Sequence, residues 1–83
     1  IIKSIRLTNI HTTDDAEINL YLYRPSSDTS DEETYYIEFQ LVLGEKSNRD
    51  ISGEFGLLNF DNSEYALIIE VGSGNTVDVI IGI

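Results

Sequence analysis

The chain has 83 residues and a formal net charge of −10, from 15 acids against five bases. That length holds one modest core, so residues 1–83 are read as a single acidic domain. Absence of Cys excludes disulfides, thiolate metal cages and a cysteine nucleophile, and the charge disfavours direct contact with nucleic acid or an anionic membrane while favouring a basic protein partner.

The first segment, "IIKSIRLTNI", alternates with period two: Ile1, Ile5 and Leu7 share a face and Arg6 opposes them. "HTTDDAE" at 11–17 reads as a loop, with room for one helical turn capped by Thr12 or Thr13. "EINLYLYR" places Ile18, Leu20 and Leu22 inward and Asn19, Tyr21 and Tyr23 outward, and Pro25 closes that strand because it lacks a backbone donor.

"TYYIEFQLVL" repeats the scheme, with Tyr35, Ile37, Phe39, Leu41 and Leu43 against Tyr36, Glu38, Gln40 and Val42. Matching the apolar faces pairs Leu22 with Ile37 and Leu20 with Phe39, which sets Tyr23 opposite Tyr36 and Tyr21 opposite Glu38 on the outer face. "GEKSNRDISG" at 44–53 reads as a loop.

The remainder reads as a meander of "EFGLLNF", "EYALIIEV" and "TVDVIIGI", the last two joined by a hairpin turn at Ser73, Gly74 and Asn75. That hairpin aligns Val71 with Val77 and Ile69 with Val79, and it sets Glu70 directly against Asp78, a destabilising juxtaposition. The expected fold is all-β: a small antiparallel sandwich or partly open barrel of five or six strands with hairpin connections.

Two surfaces stand out. The first is the acidic loop with the tyrosines at its base: Tyr21, Tyr23, Asp28, Asp31, Glu32, Glu33, Tyr36 and Glu38. Tyrosine offers rigid contact area with a hydrogen-bonding tip, and cross-strand aromatic pairs also stabilise a sheet on their own account. The second is a mixed apolar and acidic face of the C-terminal meander: Glu54, Leu58, Phe60, Glu64, Ile68, Glu70, Asp78 and Ile80. Left uncovered, such a patch marks an interface; its plain alternative is the inner face of a wrapped barrel.

Catalytic signals are weak. His11 stands near Asp14 and Asp15 with no nucleophile at diagnostic spacing, so no enzyme is expected. The acids at 28–33 lack the spacing and turn glycine of a calcium loop, and "GSGN" lacks the lysine and helix of a phosphate cradle, so neither metal nor cofactor is expected.

The size and charge are similar to those of acidic inhibitors from phages and toxin-immunity systems, such as nuclease inhibitors and anti-restriction proteins, with no motif matched. The expected function is a small acidic binding protein that inhibits or neutralises a basic, nucleic-acid-processing partner, its carboxylates standing where phosphates would. The alternative is a structural or assembly module whose exposed strands and tail "VIIGI" self-associate or dock into a larger complex. A cytoplasmic location is expected from the lack of Cys, of a signal peptide and of an 18-residue apolar run; the lack of Met implies a removed initiator, with a removed leader as the alternative.

Overall fold

The computed structural model describes residues 2–52, 64–72 and 74–83. Among these residues six strands are present: β1 (Ser4–Asn9), β2 (Ala16–Arg24), β3 (Glu33–Leu43), β4 (Asn48–Ser52), β5 (Ala66–Val71) and β6 (Val77–Gly82). They form two three-stranded antiparallel sheets, ordered β4–β1–β6 and β3–β2–β5, which are not closed into a barrel. The described residues contain no helix.

Each sheet is organised by its central strand, where alternation is strictest. In β1, Ile5, Leu7 and Asn9 are buried while Ser4 and Arg6 are exposed; in β2, Ala16, Ile18 and Leu20 are buried while Glu17 is exposed. These faces meet, joined by Leu43 of β3 and Ile51 of β4, in one apolar cluster edged by Ile37, Leu41, Leu67, Ile69 and Val77. Burying each such Ile or Leu contributes about 1.5–3 kcal/mol, and this core holds the two sheets together.

Four features depart from the sequence expectation. Within the expected loop 44–53 lies β4, which pairs with β1 from Ser4 opposite Ser52 to Thr8 opposite Asn48. Ile51 is its one buried apolar residue, too little to raise a periodic signal, and the strand exists because β1 offers a free edge. The expected helical turn at Thr12 and Thr13 is a bend.

The C-terminal hairpin does not form. β5 pairs with β2, and β6 crosses to the other sheet to pair with β1, so Val71 meets Ile18 rather than Val77, and Ile69 meets Leu20 rather than Val79. Glu70 lies opposite Asn19 and Asp78 opposite Thr8. The expected clash of Glu70 with Asp78 therefore does not arise. Asn75 fixes the crossing: its Nδ2 donates to the carbonyl of Asp15 at 3.2 Å, its Oδ1 accepts from the Glu17 amide at 3.2 Å, and Gly74 takes φ +81° within the turn. "EFGLLNF", with Glu54, Leu58 and Phe60, lies outside the described residues.

The last departure is a register shift in β3. Ala16–Leu43, Glu17–Val42 and Ile18–Leu41 pair as expected, but two irregularities then bring Leu20 opposite Glu38, Tyr21 opposite Tyr36, Leu22 opposite Tyr35 and Tyr23 opposite Thr34. At the kink Gln40 adopts φ 52°, the left-handed region that a non-glycine residue enters only at a cost. Its amide, displaced from the ladder, donates to Asn19 Oδ1 at 2.7 Å.

Asn9 ties the end of the sandwich. Fully buried, it donates from Nδ2 to the carbonyls of Asp14 (2.8 Å), Leu43 (3.1 Å) and Gly44 (3.2 Å) and accepts at Oδ1 from the His11 amide (3.0 Å). His11 in turn donates from Nε2 to the Gly74 carbonyl at 3.1 Å. Its role here is a brace between loops.

Candidate partner-binding surface

The register shift rebuilds the first candidate surface. Because β3 carries extra residues between Leu41 and Tyr36, Phe39 leaves the core side and is 58% exposed, and Glu38 takes the inward position opposite Leu20. Glu38 then accepts from Arg49 Nη2 of β4 at 2.8 Å, a bridge between the two sheets. Glu38 therefore leaves the tyrosine face on which alternation places it. Phe39, expected in the core, joins that face.

What results on the outer side of the β3–β2–β5 sheet is a strip of rings. Tyr21 and Tyr36 have centroids 5.2 Å apart at 53°, and Tyr36 and Phe39 lie 4.7 Å apart, edge to face at 72°. Such tilted pairs satisfy the ring quadrupoles and add about 0.5–1.5 kcal/mol each beyond area burial. Exposed Val42 and part-buried Ile68 continue the strip, Ile68 directly opposite Tyr21.

Acids flank these rings. Glu17 is opposite Val42, and Glu70, held by Asn19 Nδ2 at 2.9 Å, is diagonal to Tyr21. Partial burial, with Glu70 and Tyr36 nearby, pushes the Tyr21 hydroxyl above its ordinary value. At the far end Tyr23 donates to Glu32 at 2.9 Å, a bond that raises the Tyr23 pKa. The bases lie elsewhere: Lys3 precedes β1, Lys46 is in the β3–β4 turn, and Arg6, Arg24 and Arg49 pair with Asp50, Glu33 and Glu38.

Asp28, Asp31, Glu32 and Glu33 divide into two kinds. Glu33 is a hub on the core side of the hairpin, where it accepts from Arg24 Nη2 (2.7 Å), from the Tyr35 hydroxyl and from the Tyr65 hydroxyl (3.0 Å). The two tyrosine bonds, with Arg24 adding less, hold its carboxyl below the usual range against the opposing effect of burial. The same bond pushes the Tyr35 hydroxyl up to about 12. Asp28, Asp31 and Glu32 are exposed on the loop, which closes through the Ser27 amide on the Ser30 carbonyl at 2.8 Å and borders a depression of about 280 Å³ shared with Glu64.

The second candidate surface is divided. Ile68 and Glu70 belong to the outer face of β5, whereas Asp78 and Ile80 belong to the outer face of β6 in the other sheet, and Glu64 is exposed before β5. Glu54, Leu58 and Phe60 lie outside the described residues. Ile80, 64% exposed beside Arg6, borders a shallow depression of about 420 Å³ whose charged groups, Arg6 and Asp50, satisfy each other through bonds of 2.7 and 3.1 Å.

Among the described residues no three His, Asp or Glu side chains gather as a metal site, and no helix is long and apolar enough to cross a membrane. Phe39 is the residue of this face that alternation misplaces, whereas Asn19 is set outward by alternation and only its bonds to Glu70 and the Gln40 amide go unseen in the sequence. No family model, no curated protein and no solved structure matches the chain.

Proposed function

We propose that the protein is a small binding module that engages a basic protein partner through the outer face of the β3–β2–β5 sheet, and that it inhibits a nucleic-acid-processing enzyme by occupying that enzyme's cationic surface. The observation carrying this reading is the Tyr21–Tyr36–Phe39 strip with Glu17 and Glu70 beside it and every base of the chain placed elsewhere. The net charge of −10 steers a cationic protein inward, and exposed rings supply the affinity once it arrives. Pairing of three arginines with acids leaves that net charge intact, since each bridge takes one charge of either sign.

The test is association kinetics with a partner captured from the native host. On-rates should fall steeply as salt rises, by about tenfold or more over the physiological range, while Tyr36→Ala raises the off-rate. An on-rate indifferent to salt overturns the reading.

A second reading, assembly, draws on β6. Among the described strands, three of the four sheet edges are protected: β3 by its irregular register, β4 by Arg49 and Asp50, and β5 by Glu70. β6 carries one charge, Asp78, and then exposed Val79, Ile80 and Ile81. Self-association in dilute solution that Ile80→Lys abolishes would favour this reading, and a monomer at high concentration in sedimentation would exclude it.

A further inference from the structure

Two ring-and-carboxylate clusters lie on opposite sides of the β2–β3 hairpin. On the core side, Tyr35 and Tyr65 have centroids 6.0 Å apart, and between them and Glu33 sits the chain's own Arg24, with its guanidinium carbon 5.6 Å from the Tyr65 centroid and Nη2 2.7 Å from the Glu33 carboxylate. On the outer side, Tyr21, Tyr36 and Phe39 form the strip, with the Glu70 carboxylate fixed by Asn19 diagonal to Tyr21. The components are the same, rings at a tilt and an anchored carboxylate. Only the outer cluster has no arginine of its own.

We infer that the outer cluster is a receptor for an arginine side chain of the partner, with the guanidinium lying against Tyr36 and Phe39 and bonding to Glu70. This rests on the proposed basic-partner reading and makes it more specific. Rings at 72° to one another present both a face and an edge, so a planar cation can lie on one face while the second ring borders it. A guanidinium fits better than an ammonium, because it is planar, weakly hydrated and able to stack while its fork reaches a carboxylate. Exposure of Tyr36 (51%) and Phe39 (58%) leaves that approach open.

The charge around the cluster also chooses the occupant. A second copy of this chain would bring another −10 to a face already carrying Glu17 and Glu70, whereas an arginine-bearing segment neutralises it. The occupant is accordingly an extended basic segment of another protein.

The experiment uses the intact, isotope-labelled chain and two matched peptides, one alternating glycine with arginine and one alternating glycine with lysine, followed by NMR titration at fixed ionic strength. The arginine peptide should bind about five- to tenfold more tightly, with shifts centred on Asn19, Tyr21, Tyr36, Phe39 and Glu70. Phe39→Leu and Glu70→Gln, both on the exposed face, should each bring the arginine affinity to within about twofold of the lysine affinity while the amide spectrum stays dispersed.

Equal affinity for the two peptides, still reduced by Phe39→Leu, overturns the arginine assignment and leaves the basic-partner surface standing. Binding centred on the 26–32 loop, or no binding of either peptide, also overturns the assignment. The salt dependence of the captured partner's on-rate then judges the broader reading separately.

Discussion

Glu38 and Arg49 belong to different sheets, yet their side chains meet at 2.8 Å along one side of the sandwich. The carboxylate is 22% exposed and the guanidinium 51%, so the bridge is only partly shielded from water. In a double-mutant cycle with Glu38→Gln and Arg49→Met, the coupling should be about 0.5 kcal/mol by urea denaturation and should shrink in high salt. A coupling of zero at low salt would show that the bridge contributes no fastening between sheets.

Asn9 should matter more than any ion pair. Replacing it by Leu leaves the Asp14, Leu43 and Gly44 carbonyls and the His11 amide short of a partner around a buried site. A loss of about 3 kcal/mol is expected from the unsatisfied groups alone, read as a lower urea midpoint at unchanged slope. Asn9→Asp should be worse, since it turns a buried charge toward three carbonyl oxygens.

The kink in β3 can be tested through Gln40. At φ 52° a glycine relieves strain that glutamine bears, so Gln40→Gly should stabilise by up to about 1 kcal/mol, and β-branched Gln40→Val should destabilise by a similar or larger amount. The opposite order in thermal melts would mean that the strand runs straight and that Phe39 lies on the core side.

Stability should fall at both ends of the pH scale through one cluster. Glu33 has a folded-state pKa depressed by the Tyr35 and Tyr65 hydroxyls, so its contribution is present above the unfolded value near 4.5 and disappears as pH drops through the folded value. Tyr35 is raised from 10 to about 12, so its contribution is full below pH 10 and is lost as pH climbs through the folded value. Glu33→Gln should flatten both limbs of a melting-temperature profile, and Tyr35→Phe the alkaline limb most. Unchanged limbs in both variants would rule the hub out.

Charge reversal separates steering from folding. Asp28→Lys with Asp31→Lys changes exposed side chains on the loop and should slow partner association several-fold at low salt with little change in melting temperature. Glu33→Lys should instead destabilise the hairpin, because it sets a cation against Arg24.

The alternation in β1 and β2 could be read directly because their residues answer to a single requirement, one face buried and one not. Ile5, Leu7, Ile18 and Leu20 follow it without exception. The β3 pattern was misleading for a physical reason: Phe39 and Glu38 exchange sides through a left-handed Gln40, and neither residue type announces such a conformation as glycine or asparagine would. β4 was hidden by its polarity. The C-terminal pairing failed because a short Gly-rich connection serves a crossing between sheets as readily as a hairpin, and the selecting groups, Asn75 with Asp15 and Glu17, lie far apart in the chain. Tyr21 and Tyr36 were expected on one face and are neighbours there; Tyr23 turns to Glu32, and Glu38 turns inward to Arg49.

The placement of β1 has a consequence for biosynthesis. β1 at residues 4–9 is the middle of its sheet, and its two neighbours, β4 and β6, are translated later, as residues 48–52 and 77–82. Until residues 77–82 clear the ribosome, Ile5 and Leu7 have only part of their final surroundings, so the nascent polypeptide carries a sticky, half-dressed segment while the residues between β1 and β6 are made. Among the described strands, β2 and β3 are the one hydrogen-bonded pair adjacent in the chain, and their hairpin is the natural place for ordering to begin.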